Sequence, residues 1–363
     1  MEIPQGFSLP LDDLRHIERG FHAWDKLRAR HLFITGGTGF FGVWLTEALL
    51  WANQRLDLGL TLTILSRDPQ QFLKKRGQHL ALHSALTLQQ GSVADFEPPD
   101  RPCSYILHLA TSSGSRTPVD LMSGHLDTAT RGMKRILQMA RAHASEGLLL
   151  TSSGAIYAQP DTRNNGQWCE GPGAVDDFLA EKSVYGLGKR LMETLAALEA
   201  KESGLRVSIA RCFAFAGPYL PLDGGYAVGN FVRDVIAGQD IVIESDGSSI
   251  RSYLYAGDLV IWLLTILVSG ESCRPYNVGS DQPITIAELA ERISKLDKSG
   301  RKVVIRKHAQ EKLQSIYVPD IARAHNELGL RVTIDLDESL RRMLEWYRAR
   351  EQPREEHAVE RSQ

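Results

Sequence analysis

The sequence predicts an α/β fold, a Rossmann-type doubly wound parallel sheet with a smaller C-terminal α/β substrate lobe. Three observations predict it. From residue 31 to residue 211, short β-rich runs alternate with longer stretches of helical periodicity, the rhythm of βαβ units. The first run passes through a glycine turn, Gly36-Gly37-Thr38-Gly39-Phe40-Phe41-Gly42, straight into a helix. Past Arg211 the alternation loosens, and Gly217, Pro218, Pro221, Gly224, Gly225 and Gly229 crowd one loop, as where a chain leaves a sheet to build a lobe.

Ahead of the sheet, Leu14, Ile17, Phe21, Trp24 and Leu27 recur every three or four residues, so residues 1–30 form a helical extension packed on the body. Strands are expected at 31–35 and 60–66, with a helix over 42–53 between them and a helical stretch near 70–83. A strand at 104–110, a helix across 127–144, a strand at 147–152, a long helix from about 178 to 201 and a strand at 205–211 complete the series. This sets residues 31–211 as the dinucleotide-binding domain, with 250–270 returning to it. Residues 212–249 and 271–350 form the substrate lobe, and 351–363 a charged tail. The longest apolar stretch, 259–268, is too short for the roughly 20 residues that cross a bilayer and reads as a buried helix.

Composition excludes several functions. Lys+Arg 42 against Asp+Glu 44 gives a formal net charge of −2, so no bulk positive field holds a nucleic-acid backbone or an anionic membrane. Cys103, Cys169, Cys212 and Cys273 lie far apart without a C-x-x-C pair, which argues against zinc ribbons, iron–sulfur clusters and a disulfide framework. No metal site is expected. Asp12, Asp13, Arg15 and Glu18 interrupt any signal-peptide core, and with reduced thiols this predicts a cytoplasmic protein.

The glycine turn stands where a dinucleotide fingerprint stands. Glycines at Gly36, Gly39 and Gly42 permit the tight turn, the close approach of a pyrophosphate and the packing of helix on strand, while the amides of Thr38, Phe40 and Phe41 lie at the helix N-terminus. No Gly-Lys-Ser/Thr follows, which excludes a nucleoside-triphosphatase loop. The second strand ends in Ser66-Arg67-Asp68, where an acidic residue would select NAD. Ser66 removes that carboxylate and Arg67 supplies a cation suited to a 2′-phosphate. The expected cofactor is NADP or NAD, with NADP preferred.

Tyr185 and Lys189 sit four residues apart in the long helix and share a face, so the ammonium favours the phenolate and the pair can exchange a proton with an alcohol or ketone. Upstream, Thr151-Ser152-Ser153-Gly154-Ala155-Ile156-Tyr157 puts hydroxyls at the carboxyl edge of the sheet. With the glycine turn, His108-Leu109-Ala110, Arg211-Cys212-Phe213, Asn230-Phe231, Arg251-Ser252-Tyr253-Leu254-Tyr255 and Tyr276-Asn277-Val278-Gly279, the chain from about residue 31 to 346 resembles the extended short-chain dehydrogenase/reductases. It is most similar to the NAD-dependent epimerases, dehydratases and decarboxylases that act on nucleotide-diphosphate sugars.

The resemblance implies that Tyr185 transfers the proton, Lys189 binds the nicotinamide ribose, and Ser153 hydrogen-bonds the reacting oxygen. It sets Ser92, Val93, Leu109 and Ala110 beside the cofactor, and Asn230, Phe231 and Arg251 at the substrate, with Arg251 on the diphosphate. Family dehydratases carry an Asp-Glu pair after the catalytic hydroxyl residue, and decarboxylases a glutamate where Ala155 stands; here the positions are Gly154 and Ala155. Ala214 and Ala129 replace asparagines common in relatives. What remains is redox chemistry at one carbon, usually the fourth: epimerisation or ketoreduction, with dehydration or decarboxylation as the alternative. A non-catalytic redox sensor is a remote third reading, since such relatives tend to lack the Tyr-x-x-x-Lys pair. The resemblance also implies a homodimer, for which Leu191, Leu195 and Leu198 offer a stripe.

Overall fold

The structure, a computed structural model, describes residues 1–110, 119–157, 166–171, 184–297, 300–307 and 315–351. Helix α1 (Leu11–Gly20) has Asp12 and Asp13 in its first turn, where the helix dipole favours negative charge, and turns Leu14 and Ile17 inward. The chain continues through β1 (His31–Thr35), α2 (Phe40–Leu56), β2 (Thr61–Ser66), α3 (Pro69–Phe72), β3 (Leu86–Gln90), β4 (Tyr105–His108), α4 (Val119–Ala142), β5 (Gly147–Ser153), α5 (Val184–Ser203) and β6 (Arg206–Cys212). The second half adds β7 (Phe215–Ala216), α6 (Ala227–Ile236), β8 (Ile241–Ile243), β9 (Ile250–Arg251), β10 (Leu254–Tyr255), α7 (Ala256–Ser269) and β11 (Pro275–Val278). Then come β12 (Ile284–Thr285), α8 (Ile286–Asp297), β13 (Val303–Ile305), β14 (Ile316–Tyr317), α9 (Ala322–Leu328) and α10 (Leu336–Glu351).

Seven strands form one parallel sheet in the order β11-β6-β5-β4-β1-β2-β3. The crossover between β3 and β4 reverses the direction in which strands are added, so the sheet is doubly wound as expected and the carboxyl ends of β1 and β4 flank the switch point where ligands bind. One core lies between the sheet and α2 with α7; a second lies under α4 and α5. The lobe core gathers α6, α8 and α10. Helices α2 and α7 are apolar nearly all round because α1 packs over both. The apolar stretch at 259–268 is thus the buried helix expected, and no helix among the described residues is long and apolar enough to cross a membrane.

Several elements differ from expectation. β3 was not foreseen: it is an edge strand with Thr87, Gln89 and Gln90, only half-buried, so its sequence lacks an apolar signature. The stretch at 70–83 is no single helix but α3 followed by a π turn and a 3-10 turn. The sheet draws its seventh strand, β11, from within 271–350, a stretch expected wholly in the lobe. Helix α4 begins eight residues before 127, and the expected start of the long helix at 178–183 lies outside the described residues, as does the tail beyond 351.

Candidate active site

The glycine turn is built by steric exclusion. Gly36 adopts φ +69, and a Cβ there would lie 2.7 Å from the Ala110 amide nitrogen. At Gly42 a Cβ would sit on Gly37 and on the Gly36 carbonyl, which is how close α2 comes to the turn. Gly39 differs: a Cβ would meet only the Gly36 oxygen, at 3.4 Å, so its outer face is open. Gly39 caps α2 without a side-chain hydrogen bond, leaving first-turn amides for an anion. Thr38 is half-buried beside it. Phe40 and Phe41 pack sideways, Phe41 edge-on to Phe215 of β7 at 5.0 Å, so their offer to a ligand is the backbone.

Around this turn stand the other expected cofactor contacts. Leu109 and Ala110 follow β4, their amides donating to Thr35 O at 3.2 Å and Thr35 Oγ1 at 3.2 Å. Ser92 and Val93 follow β3, with Val93 packed against Gly132 of α4. Ser66 is buried at the end of β2, and Arg67 is exposed. Asp68 is engaged elsewhere: its carboxylate accepts from Gln71 N at 2.9 Å and caps α3.

At the end of β5, Ser153 Oγ accepts from Ala155 N at 3.1 Å and caps the turn 154–156. Tyr185 and Lys189 occupy the first turns of α5, with Lys189 Nζ 5.9 Å from the Tyr185 ring centroid and donating to Thr151 O at 2.8 Å. The helix can come this near because residue 186 is glycine; a Cβ there would fall on the Ala155 carbonyl oxygen. Burial holds the Lys189 pKa down at about 8, against partial support from Cys212 and Glu193. His108, also buried and facing Lys189, is held down at about 3 and accepts or donates at Thr35 Oγ1, 2.7 Å away.

The substrate side corrects part of the expectation. The Phe231 ring is buried in the lobe core, so it is a packing residue, while Asn230 on the same helix is half-buried. Arg251 pairs with no carboxylate among the described residues: Asp258 is taken by His16 and Thr333, Asp246 by Ser248, and Arg251 Nη1 donates to Ile250 O at 2.7 Å and Ser315 O at 3.0 Å. Beside it in register stands Tyr317. A Cβ on Gly154 would lie 2.7 Å from both the Tyr317 hydroxyl and the Phe213 ring, so these two fill the space above Gly154. Tyr317 packs on Phe213 with ring centroids 4.7 Å apart and planes tilted by 36°, and meets Trp168 at 6.3 Å. Sequence reasoning missed Tyr317 and Trp168, because a two-residue strand and an isolated tryptophan carry no periodicity.

A doubly wound sheet, a glycine turn open to an anion and a Ser-Tyr-Lys set at a strand end define a dinucleotide-dependent enzyme of the extended short-chain dehydrogenase/reductase type. Residues 32–279 match the NAD dependent epimerase/dehydratase family, and the chain belongs to it. It is 28% identical over 320 residues to UDP-glucuronic acid decarboxylase 1 of Xenopus tropicalis, covering 88% of this chain and 72% of that one. It is 27% identical over 325 residues to UDP-glucuronic acid decarboxylase 6 of Arabidopsis thaliana, covering 88% and 89%. Among solved structures, the fold is similar to UDP-N-acetylglucosamine 4-epimerase from Methanobrevibacter ruminantium, with a TM-score of 0.74, 19% identity and coverage of 89% and 99%.

Proposed function

We propose that the protein is an NAD(P)-dependent nucleotide-diphosphate-sugar epimerase or ketoreductase acting at sugar C4. The observation that carries this reading is the gathering of Ser153, Tyr185 and Lys189 at the end of β5 beside Gly154 and Ala155, positions that offer no carboxylate. Bound, the nicotinamide accepts or donates hydride. Tyr185 Oη takes or returns the proton of the reacting oxygen, Ser153 Oγ hydrogen-bonds that oxygen, and Lys189 holds the cofactor ribose with its charge beside the phenol. Arg251, free of any carboxylate among the described residues, pairs with the diphosphate.

Eliminating water requires a group that takes a carbon-bound proton and returns one, and glycine and alanine at 154 and 155 supply neither. The decarboxylase relatives favour a second reading, loss of carbon dioxide from a nucleotide-linked uronic acid. Oxidation at C4 makes that acid a β-keto acid, which decarboxylates without a dedicated catalytic acid. NADP is the preferred cofactor because Asp68 is committed to capping α3 while Arg67 stays exposed at the end of β2. A homodimer through α4 and α5 rests, of the stripe Leu191, Leu195 and Leu198, on Leu198, which is exposed, for Leu195 packs against the core under α4 and α5.

Denaturing protein purified without added cofactor and identifying the released nucleotide by mass spectrometry tests the reading. Stoichiometric NAD or NADH means a cofactor recycled in place, favours epimerisation or decarboxylation, and overturns the NADP assignment. An empty site that binds NADPH more tightly than NADH means a cofactor consumed each turnover, and so ketoreduction.

A further inference from the structure

Beneath the catalytic helix runs a buried polar chain that the proposed chemistry does not use. Glu193 lies four residues past Lys189 and eight past Tyr185, on the same face of α5. Its two oxygens accept from Arg211 Nε at 3.0 Å and Nη2 at 2.7 Å, a fork-to-fork pair in which both side chains are about nine-tenths buried. Arg211 Nη1 donates to Tyr157 Oη at 3.0 Å, and Tyr157 Oη donates to Asn277 Oδ1 at 2.7 Å. Asn277 Nδ2 then donates to Trp168 O at 2.7 Å and Asp320 O at 3.0 Å, and its backbone N–H to Glu170 at 2.7 Å.

The chain has one polarity. Arg211 can only donate and the Glu193 carboxylate can only accept, so the Tyr157 oxygen, receiving from Arg211, must spend its hydrogen on Asn277. That fixes the Asn277 amide with its nitrogen toward the carbonyls of Trp168 and Asp320. A network satisfied at every member specifies one arrangement, whereas a buried ion pair taken alone is weak evidence of stabilisation. At its far end stands the strap 166–171, docked on the substrate lobe by Trp168 N to Val318 O at 2.9 Å, Asp320 N to Trp168 O at 2.9 Å and Trp168 Nε1 to Ile316 O at 2.8 Å. Trp168 also flanks Tyr157, ring centroids 5.8 Å apart, and Tyr317.

We propose that Arg211, with Glu193, Tyr157 and Asn277, is a positioning residue that holds the catalytic helix in register with the 166–171 strap and the Tyr317 side of the substrate site. The network thereby sets the distance from the Tyr185 hydroxyl to a bound sugar. None of its hydrogen bonds reaches the glycine turn. The kinetic part of the claim rests on the function proposed above; the mechanical part does not.

Tyr157→Phe, which deletes one hydroxyl and keeps the ring, tests both. Hydrogen exchange read by mass spectrometry should show faster exchange in peptides covering 166–171 and 184–193 together, with the β1–α2 region unchanged. With a turned-over nucleotide sugar, kcat should fall about tenfold while KM and cofactor Kd stay within about twofold, because misplacement of a reacting group acts on the chemical step. Asn277→Asp, which abolishes the amide donor at the next link, to the Trp168 and Asp320 carbonyls, should give the same pattern, and the double variant should lose little more than either single one. Exchange that rises only next to residue 157, or not at all, overturns the proposal. So does an unchanged kcat, or a kcat that falls in step with cofactor affinity and melting temperature, the mark of general destabilisation. If wild type converts no sugar nucleotide offered, the function reading fails and the exchange pattern alone decides the mechanical claim.

Discussion

In the proposed mechanism a single hydroxyl, that of Tyr185, separates binding from turnover. Tyr185→Phe should bind dinucleotide within a few-fold of wild type and lose about 10²–10⁴-fold in kcat, the usual worth of a positioned proton-transfer group; a fluorescence titration and a coupled assay measure the two. The neighbouring histidine supplies a pH signature. His108 is held at about 3 by burial and then by the Lys189 charge, against an ordinary 6.5. Below 6.5 the unfolded chain takes up a proton that the folded one refuses, so stability is full above pH 6.5 and drains away as pH falls toward 3. Urea melts should show His108→Asn losing less than wild type between pH 7 and 5, by about 2 kcal/mol. The Lys189 cation works in the opposite range. Folded protein without cofactor loses it above about pH 8, so dinucleotide affinity should fall as pH rises past 8. Tyr185 and Lys189 were legible as a pair because their spacing puts them on one helix face, and Ser153 because its segment stands at a strand end; the roles expected of them came from the family resemblance. Tyr317 and Trp168 were not, since only the folded lobe brings Tyr317 over Gly154 and Trp168 against Tyr317. Phe231 reads as a ligand contact in its motif and turns out to pack the lobe core.

The elements that carry the site depend on glycines in two different ways. A Cβ at Gly39 meets only the Gly36 carbonyl oxygen, at 3.4 Å, whereas one at Gly42 collides with Gly37. Gly39→Ala should therefore melt with wild type yet bind dinucleotide about tenfold more weakly, ~1.4 kcal/mol. Gly42→Ala should lose about 1–3 kcal/mol of stability from overpacking. Calorimetry on the pair distinguishes a binding surface from a packing contact. The βαβ rhythm of the first half was readable because buried parallel strands are nearly continuous apolar runs, as β1, β4 and β5 are. Edge strand β3 and the broken turns of 70–83 were not, for they pack on one side only and take polar residues freely. β11 escaped assignment to the sheet because its partner β6 lies more than sixty residues earlier, across the whole substrate loop.

For the molecule as a whole, the N-terminal extension is part of the body. Buried Glu47 accepts from the amides of Ser8 at 2.8 Å and Leu9 at 2.9 Å, and Asp13 pairs with Arg342 and Tyr255. A chain beginning at residue 23 would take Asp13 from Arg342, leaving it Glu338, and His16 from Asp258, leaving it Thr333 and Ile334, and would bare the outer faces of α2 and α7. It should aggregate on size-exclusion chromatography, where wild type should not. The apolar face of residues 14–27 foretold that a helix packs there, but not that it shields two helices and ties to α10, since those charge partners lie over 300 residues apart. The central proposal is that this chain moves hydride at one sugar carbon and keeps every carbon and oxygen of the sugar, with loss of carbon dioxide as the second reading. Its most direct test is mass spectrometry of the products formed from nucleotide-diphosphate hexoses, their 4-keto derivatives and hexuronates with NAD and NADPH. The account predicts products of unchanged mass, or heavier by two hydrogens; a nucleotide-linked pentose from a hexuronate, or a dehydrated hexose, would contradict it.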